Sequence, residues 1–222
     1  MSSKQITISA CGTSYYAGML GKYFLEEIAK IPVSIERASE FRYRNPVIGA
    51  DSTAIFISQS GETADTLYAL REAKKKGALT LGVVNVVGST IARESDAGVY
   101  NHAGPEIGVA STKAFLSQVG ILMSISLFIK GNTDIVSELK ALPAKIEKIL
   151  KQDDEIKNIA QKYLSYEKFS YIGRKYQFPV ALEGALKLKE IAYRYAEGYA
   201  AGELKHGPIA LVDEKMPIIA LA

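Results

Sequence analysis

The sequence predicts an α/β protein built on a parallel, doubly wound sheet, and three observations carry that expectation. Short apolar, partly β-branched stretches at residues 6–10, 54–57 and 78–84 read as strands buried on both faces. Stretches with apolar residues at helical spacing alternate with them, the order that gives parallel strands joined by right-handed crossovers. The strand-to-helix turns are made of Ser, Thr and Gly, and in such sheets ligands sit outside the carboxyl ends of the strands, where these turns fall.

Composition narrows the class. The chain has 222 residues, room for one large or two small domains, with 48% hydrophobic and 23% charged residues as in an ordinary globular protein. Its net charge of +3 comes from 27 basic and 24 acidic residues scattered along the chain. No basic block with interleaved aromatics occurs, so nucleic acid is not an expected partner. The single cysteine, Cys11, leaves no internal disulfide and fits a reducing compartment. The polar start Met1-Ser2-Ser3-Lys4-Gln5 does not read as a signal peptide. The longest apolar run, 119–129, is broken by Gly120, Ser124 and Ser126 and is short for a bilayer span. A cytoplasmic protein with no membrane partner is expected.

The first strand, 6–10, runs into Cys11-Gly12-Thr13-Ser14 and a helix over about 15–29, with Leu20, Phe24 and Ile28 on one face. No base is recognisable beside Cys11, which reads as a small buried residue rather than a nucleophile. Val33-Ser34-Ile35-Glu36 alternates as a strand near a sheet edge would, and Ser39-Glu40-Phe41 opens a short helical segment that ends before Pro46.

The strand at 54–57 leads into Ser58-Gln59-Ser60-Gly61-Glu62-Thr63 and then a helix with Leu67, Leu70 and Ala73 at helical spacing, closed by Lys76-Gly77. Unpaired N–H groups at a helix start make an anion site, and hydroxyls on the same turn add donors. The turn has no Lys or Arg, so a phosphate would be held by neutral donors. An ordinary N-cap by Ser60 or Thr63 is the alternative. A strand at 78–84, a turn at 85–90 and a short strand at 98–100 follow. The loop 104–113 is a third hydroxyl-rich turn, opening an apolar helix over 114–129 closed by Lys130-Gly131-Asn132. Three such loops at one rim suggest a polyol phosphate site. His102, just before the third loop, reads as solvated.

A helix over 134–150, interrupted near Pro143, and another over 153–164 carry no chemistry of their own and read as a link between domains. Residues 168–173 form a new first strand whose turn, Gly173-Arg174-Lys175, weakly echoes Cys11-Gly12-Thr13, so the second domain repeats the first in outline. In the helix beginning at Pro179, Glu183, Lys187, Glu190, Arg194 and Glu197 share one face. That stripe is either solvated ion pairs or, since the helix is otherwise rich in Ala and Leu, the lining of a site. Gly207-Pro208 present His206 on a turn, and 217–222 is an apolar strand. The expected domains are 1–133, linking helices 134–165, and a partial second domain 166–222.

Ser58-Gln59-Ser60-Gly61-Glu62-Thr63 with Cys11-Gly12-Thr13-Ser14 resembles the sugar isomerase (SIS) domain family. Ala110-Ser111-Thr112-Lys113-Ala114-Phe115, Leu182-Glu183-Gly184-Ala185-Leu186-Lys187-Leu188-Lys189-Glu190 and Gly202-Glu203-Leu204-Lys205-His206-Gly207-Pro208 narrow the resemblance. Together the blocks are similar to the isomerase half of the glutamine–fructose-6-phosphate aminotransferases, the glucosamine-6-phosphate synthases, from residue 8 onward. The resemblance implies tandem SIS domains acting on fructose 6-phosphate and glucosamine 6-phosphate in hexosamine synthesis, without cofactor or metal. It implies that Ser58, Gln59, Ser60 and Thr63 hold the phosphate, and that Thr13, Ser14, Val109 and Ser111 hold phosphate or sugar hydroxyls. It further implies that Glu190 moves the proton between C1 and C2, His206 assists ring opening and Lys187 lines the pocket. A carboxylate suits that proton transfer, imidazole suits ring opening, and a cationic neighbour stabilises an enediol-like oxyanion. It also implies a homodimer in which His206 serves the partner's pocket, and a glutaminase domain in the full-length enzyme. The 222 residues hold neither that glutaminase domain nor the family's C-terminal lysine tail, so they read as a truncated chain in which glutamine-dependent synthesis is not expected. A SIS deglycase or isomerase of another amino-sugar phosphate, or a non-catalytic sugar-phosphate sensor, are the alternatives.

Overall fold

A computed structural model describes residues 4–131 and 136–222. The chain divides into two compact units, Met1–Lys130 and Gly131–Ala222.

The first unit runs β1 (Gln5–Ala10), α1 (Gly12–Phe24), β2 (Val33–Arg37), α2 (Ala38–Phe41), β3 (Ser52–Ser58), α3 (Ala64–Lys75), β4 (Leu79–Val84), α4 (Thr90–Glu94), β5 (Ala97–Tyr100) and α5 (Lys113–Lys130). All five strands are parallel, in the order β2-β1-β3-β4-β5. The doubly wound expectation holds, and β2 is an edge strand as its alternation suggested. The winding reverses between β1 and β3, so the switch point lies at the carboxyl ends of those two strands.

Period-2 alternation sends Ala54 and Phe56 of β3 to one face, where they pack with Phe41, Leu70 and Ile91. On the other face α1 comes so close that a Cβ on Gly18 would lie 2.7 Å from Ile35, 2.9 Å from Ile8 and 3.6 Å from Ile57. Every residue of β3 is buried, which is why this strand reads as an unbroken apolar run rather than an alternating one. The helix expected over about 15–29 begins at Gly12, because Cys11 alone links strand to helix. It ends in a π turn, Leu25–Ala29.

The apolar run 119–129 lies inside a longer helix, as the expected helix over 114–129 has it. Helix α5 has 18 residues and a mean hydropathy of 1.4, long and apolar enough by length and composition to cross a bilayer. Its buried residues include Gln118 and Ser126 as well as Ala114, Leu122 and Leu127, and Gln118 bonds to a side chain of α1. One face of α5 is thus packed into the core through these residues, while Leu116, Phe128 and Ile129 are exposed.

The second unit contains α6 (Val136–Leu150), α7 (Asp153–Lys162), β6 (Lys168–Gly173), α8 (Gln177–Ala192), β7 (Tyr195–Ala200), two 3₁₀ turns (Glu203–His206 and Pro208–Leu211) and β8 (Ile218–Leu221). Its three strands are parallel in the order β7-β6-β8. Phe169, Ala185 and Ala196 form the centre of a small core. The closing Asn132, the helix start at 134 and the boundary between 133 and 134 lie outside the described residues. Pro143 does not interrupt α6. Proline's fixed φ is compatible with a helix, and none of the described residues of α6 is fully buried.

The sequence reading missed the short helix α4 and strand β7, and β7 corrects the charged stripe. Tyr193, at φ +54°, ends α8 in the left-handed region. Arg194 and Glu197 therefore leave the helix: Arg194 pairs with Glu167, and Glu197 accepts a hydrogen bond from the Tyr195 hydroxyl at 3.2 Å. Glu183, Lys187 and Glu190 remain on α8.

Candidate functional site

The carboxyl end of β3 turns into α3 through five residues, and Gly61, at φ +67°, makes the turn. A Cβ there would lie 2.0 Å from the Ser89 hydroxyl oxygen, so only glycine fits. The Gly61 N–H donates to Ser58 Oγ at 3.0 Å, and Ser58 Oγ lies 2.9 Å from Thr63 Oγ1. Ser60 Oγ accepts from the Glu62 N–H at 3.2 Å. No side chain caps α3: Thr63 occupies the cap position, but its hydroxyl faces Ser58 instead. The first N–H groups of α3 thus stay available to an anion. The Ser58–Thr63 pair owns two hydroxyl protons and shares one hydrogen bond, so one proton is left for a ligand oxygen.

The outside of this loop is held by the neighbouring connection. The Asn85 N–H donates to the Gln59 carbonyl at 3.2 Å and the Ile91 N–H to the Gly61 carbonyl at 3.0 Å. Glu62 turns away from the loop to accept the Thr90 N–H at 2.7 Å, and that bond, helped by the Arg93 charge, pulls its carboxyl below the usual range. Gln59, Ser60 and Thr63 are half-buried and Ser58 is buried.

Across the switch point, Thr13 and Ser14 stand in the first turn of α1, Thr13 half-buried and Ser14 buried. Cys11 is a free, partly buried thiol packed against the core, in keeping with its reading as a small packing residue. The third loop carries Val109, fully exposed, and Ser111, half-buried. His102 is exposed, as expected for a solvated histidine.

Three residues of this rim escaped the sequence reading. Glu106 receives the Thr112 N–H (3.1 Å) and hydroxyl (2.9 Å) on one oxygen and the Ala114 N–H (3.1 Å) on the other. Burial pushes the Glu106 carboxyl up, but these bonds and Lys113 outweigh it and the net direction is down. Asn85 binds Gly104 O at 2.7 Å and the Ala103 N–H at 2.9 Å, joining the loops after β4 and β5. Gln118 is the third. Only Glu106 had a local signal, an acid just ahead of a helix start.

In the second unit Lys187 lies between two carboxylates of α8, 2.5 Å from Glu190 Oε2 and 3.5 Å from Glu183 Oε1. Glu183 is buried and Glu190 exposed, so the row runs from core to solvent. His206 ends the first 3₁₀ turn, exposed; among the described residues no hydrogen bond or ion pair joins it to Lys187 or Glu190.

An uncapped helix start and hydroxyl-lined turns thus lie together at the switch point of a parallel α/β sheet. The SIS domain family matches residues 1–129 and 165–222, and the chain belongs to that family. It is 57% identical to the glutamine–fructose-6-phosphate aminotransferase (isomerizing) of Chlorobaculum tepidum, over 99% of this chain and 37% of that protein. The enzyme of the same name from Aquifex aeolicus is 50% identical over 99% of this chain and 37% of its own length. The chain thus spans just over a third of these relatives. Among solved structures, the C-terminal domain of glucosamine-fructose-6-phosphate aminotransferase from Francisella tularensis superposes with a TM-score of 0.95 at 49% identity, covering 98% of this chain and 64% of that one. The glucosamine-6-phosphate deaminase of Thermotoga maritima superposes at 0.80 with 25% identity, covering 98% of this chain and 67% of that one.

Proposed function

We propose that the chain is the sugar-phosphate isomerase portion of a glutamine–fructose-6-phosphate aminotransferase. It binds fructose 6-phosphate and glucosamine 6-phosphate and supports ketose–aldose isomerisation in hexosamine synthesis. The observation that carries this reading is the Ser58–Thr63 hydroxyl pair, with a proton to spare, at an uncapped helix start beside the switch point. Identity of 57% to one such aminotransferase supports it over the deaminase-like reading, whose structural relative stands at 25%.

In this reading Ser58, Gln59, Ser60 and Thr63 bind the phosphate, while Thr13, Ser14, Val109 and Ser111 bind phosphate or sugar hydroxyls. Glu190 moves a proton between C1 and C2 of the open-chain sugar, with Lys187 holding the carboxylate by its ion pair. His206 exchanges a proton at the ring oxygen. The full-length enzyme carries a glutaminase domain, works as a cytoplasmic homodimer, and places His206 at the partner's site.

Calorimetry with fructose 6-phosphate against fructose tests the phosphate site. Loss of two charge-assisted hydrogen bonds in Ser60→Ala plus Thr63→Ala should weaken fructose 6-phosphate binding by about 100-fold or more. Equal affinity for the two sugars, or full affinity in the double variant, would sink the proposal.

A further inference from the structure

We infer that Gln118 is a positioning residue for the sugar-phosphate site: its buried amide fixes Ser14 as a hydrogen-bond donor to a ligand oxygen. The inference rests on the reading above, in which Ser14 meets the substrate. Gln118 Nε2 donates to Ser14 Oγ at 3.0 Å, a bond between residues 104 apart in the sequence and buried from water. Gln118 is 1% exposed and its amide oxygen has no partner among the described residues. An amide held at that depth, with only one end bonded, has no stabilising reason to replace an apolar side chain.

The direction of the bond supplies the reason. A Ser oxygen that accepts from an N–H cannot place its own proton along that line, so the Ser14 proton points elsewhere. Helical serines usually spend that proton on the carbonyl four residues back. Ser124 and Ser126 of α5 do so, bonding Gly120 O and Leu122 O, and Ser117 of α5 spends its proton on Asn101 O. Four residues before Ser14 lies Ala10, still in β1, and among the described residues nothing accepts the Ser14 proton. Ser14 thus stands at the switch point with one lone pair occupied and its proton unspent. It suits an acceptor such as a phosphate or hydroxyl oxygen. The close packing of α1 on α5, where a Cβ on Gly21 would lie 2.8 Å from Leu122, keeps the two side chains in register.

The test is a double-mutant cycle on the whole chain, with fructose 6-phosphate binding read by calorimetry and folding read by melting temperature. Gln118→Met keeps the volume and removes the donor; it should weaken binding by about tenfold in the wild-type background. In the Ser14→Ala background it should change binding less than twofold, because the hydroxyl it orients is gone. A merely structural role would weaken both backgrounds alike, and that result overturns the inference, as does full affinity in Gln118→Met. Should Gln118→Met fail to fold, Gln118→Glu carries the same cycle: it keeps size and bond but accepts the Ser14 proton. Binding undiminished in that variant also overturns the inference. Absence of binding by the unmodified chain would instead defeat the functional reading beneath it.

Discussion

The helices that follow the first strand of each sheet, α1 and α8, can be laid on each other. Each follows the first strand of a sheet whose order is second-first-third: β2-β1-β3 in one unit, β7-β6-β8 in the other. Each approaches that strand at a glycine, Gly18 over Ile8 and Gly184 over Tyr171, where an added Cβ would lie 2.9 Å from the strand's side chain in both. Aligned there, Ala17, Gly21 and Phe24 of α1 match Glu183, Lys187 and Glu190 of α8. The α1 positions are buried, with Gly21 against Leu122 of α5. The α8 positions carry an acid–base–acid row. The same backbone face is apolar core in one helix and a charged row in the other. The architecture sets which residues lie side by side, and the chemistry is decided by what covers them.

The strongest challenge to that contrast is Lys187→Met, which makes the α8 face more like the α1 face. It removes the Lys187 side of the ion pair to buried Glu183, so stability should fall by about 1–2 kcal/mol. Denaturant unfolding measures this. Unchanged or higher stability would mean the α8 face behaves as core, and the contrast would collapse.

Gly61→Ala probes the Ser58–Thr63 turn of the first unit. A positive φ for alanine plus a Cβ driven into Ser89 should cost about 2 kcal/mol and abolish phosphate discrimination. Preserved discrimination between fructose 6-phosphate and fructose in this variant would show that the turn's geometry is not what recognises the anion.

The smallest effect concerns β4 and β5, the outer strands of the first unit. Asp96, between β4 and β5, accepts the Thr80 N–H at 2.9 Å and the Thr80 hydroxyl at 2.7 Å, and pairs with Lys74 at 2.9 Å. The backbone bond first, then the Lys74 and Thr80 side chains, lower its carboxyl from 3.8 to about 2. A depressed carboxyl stabilises the fold above the unfolded value and loses that contribution as pH falls from about 4 towards 2. Asp96 is about a third exposed, so solvent screening holds the effect under about 1 kcal/mol. Unfolding curves at pH 5 and pH 2.5 should differ less in Asp96→Asn than in the unmodified chain. An equal difference would place the acid sensitivity elsewhere.

Much was legible in local pattern. Strands β1, β3 and β4 show as apolar runs because they are buried on both faces, and the edge position of β2 shows in its alternation. The turn Ser58–Thr63 declares itself because a helix start leaves N–H groups unpaired wherever it occurs. Other features were decided only by the tertiary structure. Tyr195-Ala196-Glu197-Gly198-Tyr199-Ala200 has no strand signature; it becomes β7 by pairing with β6, with Tyr193 ending the helix before it. Thr63 could have capped α3, but the position of Ser58 drew its hydroxyl away. Ser14 and Gln118 are brought together by the packing of α5 on α1, across 104 residues. The amino-acid order sets what each backbone segment prefers by itself, whereas a hydroxyl's proton or a carboxylate's partner is chosen among groups that only folding brings within reach.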